Sequence, residues 1–206
     1  RVSGRLPLTL PRDAYASWDE TLAALPHIDA VVISPGPGHP SRAADFGGAS
    51  VTIPLKEVLL PAVDALSPSA AAIGALNTLW RTVDGRLAAD NTDWIGIKVL
   101  LSRSLGGRAA GGTALVLGAG GTARAACYAI RQMGFASLHV YNRTVAKAEA
   151  LATDFGGAPL VGASLDEALG ALERLDAVVS CIPGSAGVSI GEAVLHRFAP
   201  VVLDAA

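Results

Sequence analysis

At residue 114 an apolar run, Ala114-Leu115-Val116-Leu117, passes without interruption into Gly118-Ala119-Gly120-Gly121-Thr122-Ala123-Arg124. That order is a buried strand, a glycine-rich turn and the opening of a helix. Gly118 permits a tight turn, Gly120 lets the backbone approach a pyrophosphate, and Ala123 is small enough for helix and strand to pack closely. The N–H groups of the turn, backed by the positive end of the helix dipole, then suit phosphate oxygens. A glycine-rich turn also arises where only tight packing is needed, so the surrounding pattern has to decide. Here short β-branched runs alternate with alanine-rich helical stretches, as a parallel sheet covered by helices requires. Strands are predicted at 114–117, 138–141, 159–161, 177–181 and 201–203, with helices at 122–133, 145–155, 165–172 and 191–197. The expectation for residues 106–206 is an α/β, doubly wound parallel sheet of Rossmann type. Gly118, Ala119, Gly120, Gly121, Thr122 and Ala123 form its dinucleotide-binding turn.

The second strand of this unit ends in Asn142-Arg143-Thr144. An NAD-selective site usually places Asp or Glu there for the ribose hydroxyls, and here there is a cation. A guanidinium beside Asn and Thr donors suits the extra 2′-phosphate of NADP, and Lys147, one helical turn on, adds positive charge. The alternative is that Asn142 caps the next helix and Arg143 is a solvated surface charge.

Upstream, Gly106, Gly107, Gly111 and Gly112 read as a domain boundary, which leaves residues 1–105 as a second, substrate-holding α/β domain. Its predicted elements are strands at 30–33 and 50–53, a helix at 56–66, a strand at 75–81, a hairpin turn at Asp84-Gly85 into 87–90, and a helix at 94–105. Lys56 falls in the first turn of its helix, where it opposes the dipole and is a poor choice for stability alone. Two polar clusters interrupt apolar surroundings, Asn77-Thr78 and Asp90-Asn91-Thr92-Asp93. Asn91 or Thr92 could cap the following helix, and Asn77 could be an ordinary turn residue.

Composition narrows the partners. A chain of 206 residues that is 51% hydrophobic can bury one substantial core or two modest ones. Its net charge of −2, with no Lys/Arg cluster, argues against nucleic acid and anionic membranes and leaves small molecules. The apolar stretch 58–66, broken by Pro61 and Asp64, is too short to cross a bilayer. Cys127 and Cys181 read as core thiols of a reducing, cytoplasmic compartment. The four histidines are scattered without ligand spacing, so no metal is expected. Arg1 is not an initiator Met and no signal-peptide pattern follows it, which suggests a fragment or one section of a longer polypeptide.

Five ordered motifs together resemble the shikimate dehydrogenase family: Val51-Thr52-Ile53-Pro54-x-Lys56, Gly74-Ala75-x-Asn77-Thr78, Asn91-Thr92-Asp93-x-x-Gly96, Gly118-Ala119-Gly120-Gly121-x-x-Arg124 and Asn142-Arg143-Thr144. The wording from Phe46 to Lys56 is similar to the dehydrogenase domain of the fungal pentafunctional AROM polypeptide and its quinate-pathway relatives. The resemblance runs from about Phe46 to the end of the chain. It implies reversible hydride transfer between NADPH and 3-dehydroshikimate, with Lys56 and Asp93 as the catalytic pair and Ser50, Thr52 and Asn77 at substrate-contacting positions. It also implies a neighbourhood of other domains in a multifunctional polypeptide. The family's opening Ser-x-Ser-x-Ser-Pro segment, which holds the substrate carboxylate, has no match between Arg1 and Phe46. Its last strand and helical return lie beyond Ala206, so both domains are expected to be truncated. The rival readings are an NAD-dependent quinate dehydrogenase and a non-catalytic regulatory protein of the quinate pathway.

Residues 14–47 carry a second resemblance. Tyr15 to Glu20 and Asp29 to Pro40, continuing to Asp45-Phe46-Gly47, look like the early part of a class I glutamine amidotransferase. Such an enzyme needs a nucleophilic Cys on a sharp turn with a His partner, and neither cysteine sits on one. The expectation is a junction of two segments near Asp45-Phe46-Gly47, against the plainer reading of Ser34 to Pro40 as a surface loop.

Overall fold

A computed structural model of the protein describes residues 31–33, 48–107, 109–183 and 188–205. The upstream half contains β1 (Val31–Ile33), β2 (Gly48–Val51), the single helical turn α1 (Leu55–Val58), a 3-10 turn (Leu60–Ala62), β3 (Ala65–Leu66), α2 (Pro68–Ile73), β4 (Thr78–Arg81), β5 (Leu87–Asp90) and α3 (Asp93–Leu105). The downstream half contains β6 (Thr113–Leu117), α4 (Gly121–Gln132), β7 (Ser137–Tyr141), α5 (Val145–Asp154), β8 (Ala158–Pro159), α6 (Leu165–Gly170), β9 (Ala177–Ser180), α7 (Glu192–Phe198) and β10 (Val201–Asp204). None of the described helices is long and apolar enough to cross a membrane.

The downstream strands form one sheet in the order β10-β9-β6-β7-β8, every pair parallel. In order of sequence this is the 3-2-1-4-5 arrangement of a doubly wound nucleotide-binding half, and the strand order reverses between β6 and β9. Alternation along β6 shows why its residues are apolar on both faces. Ala114 and Val116 pack into a cluster with Ile97, Leu101 and Leu105 of α3 and with Ala126 and Ile130 of α4. Leu115 and Leu117 face a cluster built from Leu165 and Leu169 of α6 and Val194 of α7. β8 is the short edge strand and holds Pro159, a residue that only an edge accommodates easily.

The upstream sheet is mixed, in the order β1-β2-β4-β5-β3, with β2, β4 and β5 antiparallel and the outer strands parallel to their neighbours. The hairpin at Asp84-Gly85 forms as the sequence predicts, with the Thr82 N–H donating to the Arg86 carbonyl at 2.9 Å. The predicted helix 56–66 does not. It breaks after one turn because Pro61 lacks the N–H that a longer helix would need, and Ala65–Leu66 instead joins the sheet beside β5. The strand predicted from residue 75 starts only at Thr78, and α2 fills the space before it. The signals for α2 were present in Ser67 as N-cap, Pro68 as first helical residue and Gly74 in the left-handed conformation at its end.

Ser67 also ties α2 to the sheet. Its hydroxyl accepts from the Ala70 N–H at 3.0 Å and donates to the Asp90 carboxylate, which also receives Ser69 at 2.9 Å and the Asn91 N–H at 2.7 Å. Burial pushes the Asp90 carboxyl up, but these hydrogen bonds outweigh it and hold the group below its ordinary value. Ser67→Ala is therefore expected to cost about 1–2 kcal/mol of unfolding free energy at neutral pH, read from urea denaturation. A lowered carboxyl contributes stability above its unfolded pKa and loses it as pH falls through the folded one. The penalty should accordingly shrink in acid, and a cost independent of pH would refute the Asp90 link.

Candidate active site

Lys56 is the second residue of α1, and its carbonyl accepts the Leu76 N–H at 2.7 Å, which fastens this turn to the segment before β4. The turn is too short to carry a substantial dipole. What holds the residue is its side chain, which is 10% exposed. The ammonium donates to Asp93 Oδ2 at 2.6 Å and to Thr122 Oγ1 at 3.1 Å. Asp93 opens α3, and its N–H donates to Oδ1 of the fully buried Asn91 at 3.1 Å. Asn91 in turn donates to the Ala75 carbonyl at 3.0 Å, so this asparagine fixes the start of α3 from within the core. The other carboxylate oxygen, Asp93 Oδ1, accepts from Asn77 Nδ2 at 2.7 Å. Asn77 is itself held by the Thr92 N–H at 2.9 Å and the Thr78 hydroxyl at 2.8 Å. Each oxygen of the carboxylate thus has a positioned donor, and a partly desolvated ion pair persists only when its remaining hydrogen-bonding capacity is met in this way.

The glycine-rich turn meets this group from the downstream sheet. Gly118 has φ +108°, and a side chain there would also press on the Cys181 carbonyl and Ile182 at 3.2 Å. Gly120 is extended, and a Cβ on it would meet nothing within 4 Å, which leaves its backbone open to an approaching ligand. Gly121 is packed instead. A Cβ there would lie 2.7 Å from Lys56 Cβ and 3.4 Å from Ala75 Cβ. A cleft of about 620 Å³ opens beside this contact, lined by Ile53, Lys56 and Glu57 on one side and by Ala119, Gly120, Asn142, Arg143, Thr144 and Lys147 on the other. It lies at the carboxyl ends of β6 and β7, where open parallel sheets bind ligands. An open glycine backbone beside two exposed cations is a donor set that fits a dinucleotide phosphate.

Most of the sequence-predicted residues are therefore gathered, with differences in position. Lys56, Asp93, Asn77 and Thr122 form one hydrogen-bonded group. Ala119, Gly120, Gly121, Asn142, Arg143, Thr144 and Lys147 line the cleft. Ala123 is fully buried in the helix–sheet core, where it does the packing task alone. Ser50 is exposed on β2 opposite Thr78, and Thr52 is exposed just beyond that strand. Asn142 donates to the Thr144 carbonyl at 3.0 Å, and Thr144 occupies the N-cap of α5 without a side-chain cap bond. Arg124 closes the glycine-rich motif, and nothing in the sequence gives it a task. Its Nε donates to the Ile73 carbonyl at 2.6 Å, and its Nη2 pairs with Asp154 at 2.9 Å. Gly74 makes room for it, since a Cβ there would sit 2.7 Å from Nη2. Cys127 is buried and Cys181 half-buried, both free, and burial pushes the Cys181 thiol up to about 12.

Two family models match the chain in sequence order. The model described as shikimate dehydrogenase substrate binding domain covers residues 39–79, and the one described as shikimate / quinate 5-dehydrogenase covers residues 100–197. The first begins inside the stretch that resembles an amidotransferase, and β1 pairs with β2 in the same sheet, so that second resemblance is not borne out. The rest of residues 14–47 lies outside the described residues. A pentafunctional AROM polypeptide from Yarrowia lipolytica is 41% identical over 141 residues, which is 68% of this chain and 9% of that protein. A shikimate dehydrogenase (NADP(+)) from Methylobacterium radiotolerans is 50% identical over 58% of this chain and 43% of its own length. The chain thus spans less than half the length of these relatives. The crystal structure of shikimate 5-dehydrogenase from Thermus thermophilus in complex with NADP(H) and shikimate superposes with a TM-score of 0.65 at 29% identity, covering 85% of this chain and 77% of that one. Matched in both halves, in order and in three dimensions, the chain belongs to the shikimate dehydrogenase family.

Proposed function

We propose that this chain carries out the NADP-dependent, reversible reduction of 3-dehydroshikimate to shikimate, a step of aromatic amino-acid biosynthesis. The observation that carries this reading is the Lys56 ammonium, bonded at once to Asp93 and to Thr122 of the glycine-rich turn. These bonds support reading Lys56 as the proton donor and the turn that touches it as the dinucleotide site. When bound, NADPH supplies a hydride to the ketone carbon. The chain's own residues handle the proton. As the carbonyl π pair moves onto oxygen, Lys56 gives one N–H proton to that oxygen, keeps the electron pair on Nζ, and is reprotonated from solvent. Asp93 holds Nζ, and Asn77 holds Asp93. Ser50, Thr52 and Asn77 are assigned to the substrate, and Ala119, Gly120, Asn142, Arg143, Thr144 and Lys147 to the cofactor.

In this reading residues 1–105 hold the substrate and residues 106–206 the dinucleotide. α3 delivers Asp93 to the first while packing on the core of the second. This reading has other domains of one polypeptide as partners, which the pentafunctional relatives support, and the cytoplasm as its setting. The test is to follow NADPH absorbance with and without 3-dehydroshikimate, beside a direct NADPH binding titration. Oxidation that depends on the ketone is expected. Preference for NAD with quinate would favour quinate dehydrogenase, and binding without turnover would favour a regulatory protein.

A further inference from the structure

We infer that Thr122 is a positioning residue for Lys56, so that the nucleotide-binding turn itself aims the proton donor; this rests on the function proposed above. An ammonium on a four-carbon stem is mobile, with three donors free to rotate. Asp93 alone would direct one N–H and leave the other two to turn about that bond. A second acceptor removes the freedom, because fixing two N–H directions of a tetrahedral group fixes the third. Thr122 Oγ1, at 3.1 Å and within a residue only 8% exposed, is that acceptor. The remaining N–H is the one left to point at a substrate oxygen.

The location of Thr122 gives the contact its meaning. It lies two residues beyond Gly120, on the first turn of α4. The N-cap of that helix is Gly120, and the Thr122 hydroxyl accepts from Lys56 of the other half. Gly121, next to it, approaches the Lys56 stem so closely that a Cβ would lie 2.7 Å from Lys56 Cβ and 3.2 Å from Cδ. The stem is therefore confined by Gly121 and the head by Thr122, both from the turn proposed to hold the cofactor. Proton donor and cofactor site are set in one frame although they come from different sheets.

The test compares Thr122→Val, which keeps the shape and removes the acceptor, with Thr122→Ser, which restores it. Thr122→Val is expected to lower kcat about tenfold or more, the usual size of a hydrogen bond to a charged group. The KM for the ketone and the Kd for NADPH should stay within about twofold, and Thr122→Ser should recover most of the rate. A weakened NADPH Kd with unchanged kcat would make Thr122 a cofactor contact and overturn the inference. A double-mutant cycle in urea reads the contact without turnover. Thr122→Val should destabilise the unaltered chain more than it destabilises a Lys56→Met background. Additive costs would refute the contact alone, whereas a chain that binds NADPH but leaves the ketone unreduced would refute the function.

Discussion

Lys56→Ala is expected to lower kcat for ketone reduction by about 10²–10⁴-fold, the range in which a positioned general acid contributes, while leaving the NADPH Kd within a few-fold. The proton goes to an oxygen on which charge develops only as hydride arrives, so the loss belongs to the transition state and not to cofactor binding. Alanine also removes a stem packed against Gly121 and Ala75, and it leaves the half-buried Asp93 with Asn77 as its remaining side-chain donor. Lys56→Met separates these effects by restoring the stem without the ammonium. If the two variants lose the same factor in kcat, the ammonium is responsible. If methionine restores most of the rate, or if kcat and NADPH affinity fall together, Lys56 is a structural residue and the assignment fails.

The downstream sheet was legible because its information is local. The central strands β6 and β9 are short apolar runs buried on both faces, and most of the turns between elements carry Gly, Pro or Asn. The upstream half was less so. A helix over 56–66 satisfies apolar periodicity, yet Pro61 and the demand of β5 for a neighbour override it. α2 was missed because Pro68-Ser69-Ala70-Ala71-Ala72 shows little amphipathic contrast, and only its two ends announce it. For the site, the family resemblance assigned roles to Lys56, Asp93 and Asn77, while the dipole argument that singled out Lys56 does not apply to a helix of one turn. The contacts of Lys56 with Thr122, of Gly121 with Lys56 and of Arg124 with Ile73 join positions about fifty or more residues apart. No periodicity encodes them. A sequence can mark a glycine as special, but whether the missing Cβ admits a ligand, as at Gly120, or a neighbouring side chain, as at Gly121, depends on what folding brings beside it.

The choice between cofactors puts the largest burden on Arg143. It is exposed at the end of β7 and lines both the main cleft and a smaller cavity of about 100 Å³ bounded by Gly118, Tyr141, Ile182, Pro183 and Val188. The end of the second strand is where this architecture reads the ribose, so a guanidinium there can take a 2′-phosphate by charge-assisted, two-pronged hydrogen bonds. Arg143→Ala is expected to weaken NADPH binding about 10- to 100-fold and to leave NADH binding within about twofold. Arg143→Asp should widen the gap, because the carboxylate repels the phosphate and can accept the ribose hydroxyls of NADH. Lys147→Ala should cost less, since it lies one turn further along α5 and acts as a point charge without that planar fork. Because both side chains are solvated, the NADPH advantage should also shrink as salt is raised. Paired titrations of NADPH and NADH at low and high salt carry the test. Equal weakening of both cofactors by Arg143→Ala would mean that the guanidinium supports the loop and does not read the phosphate.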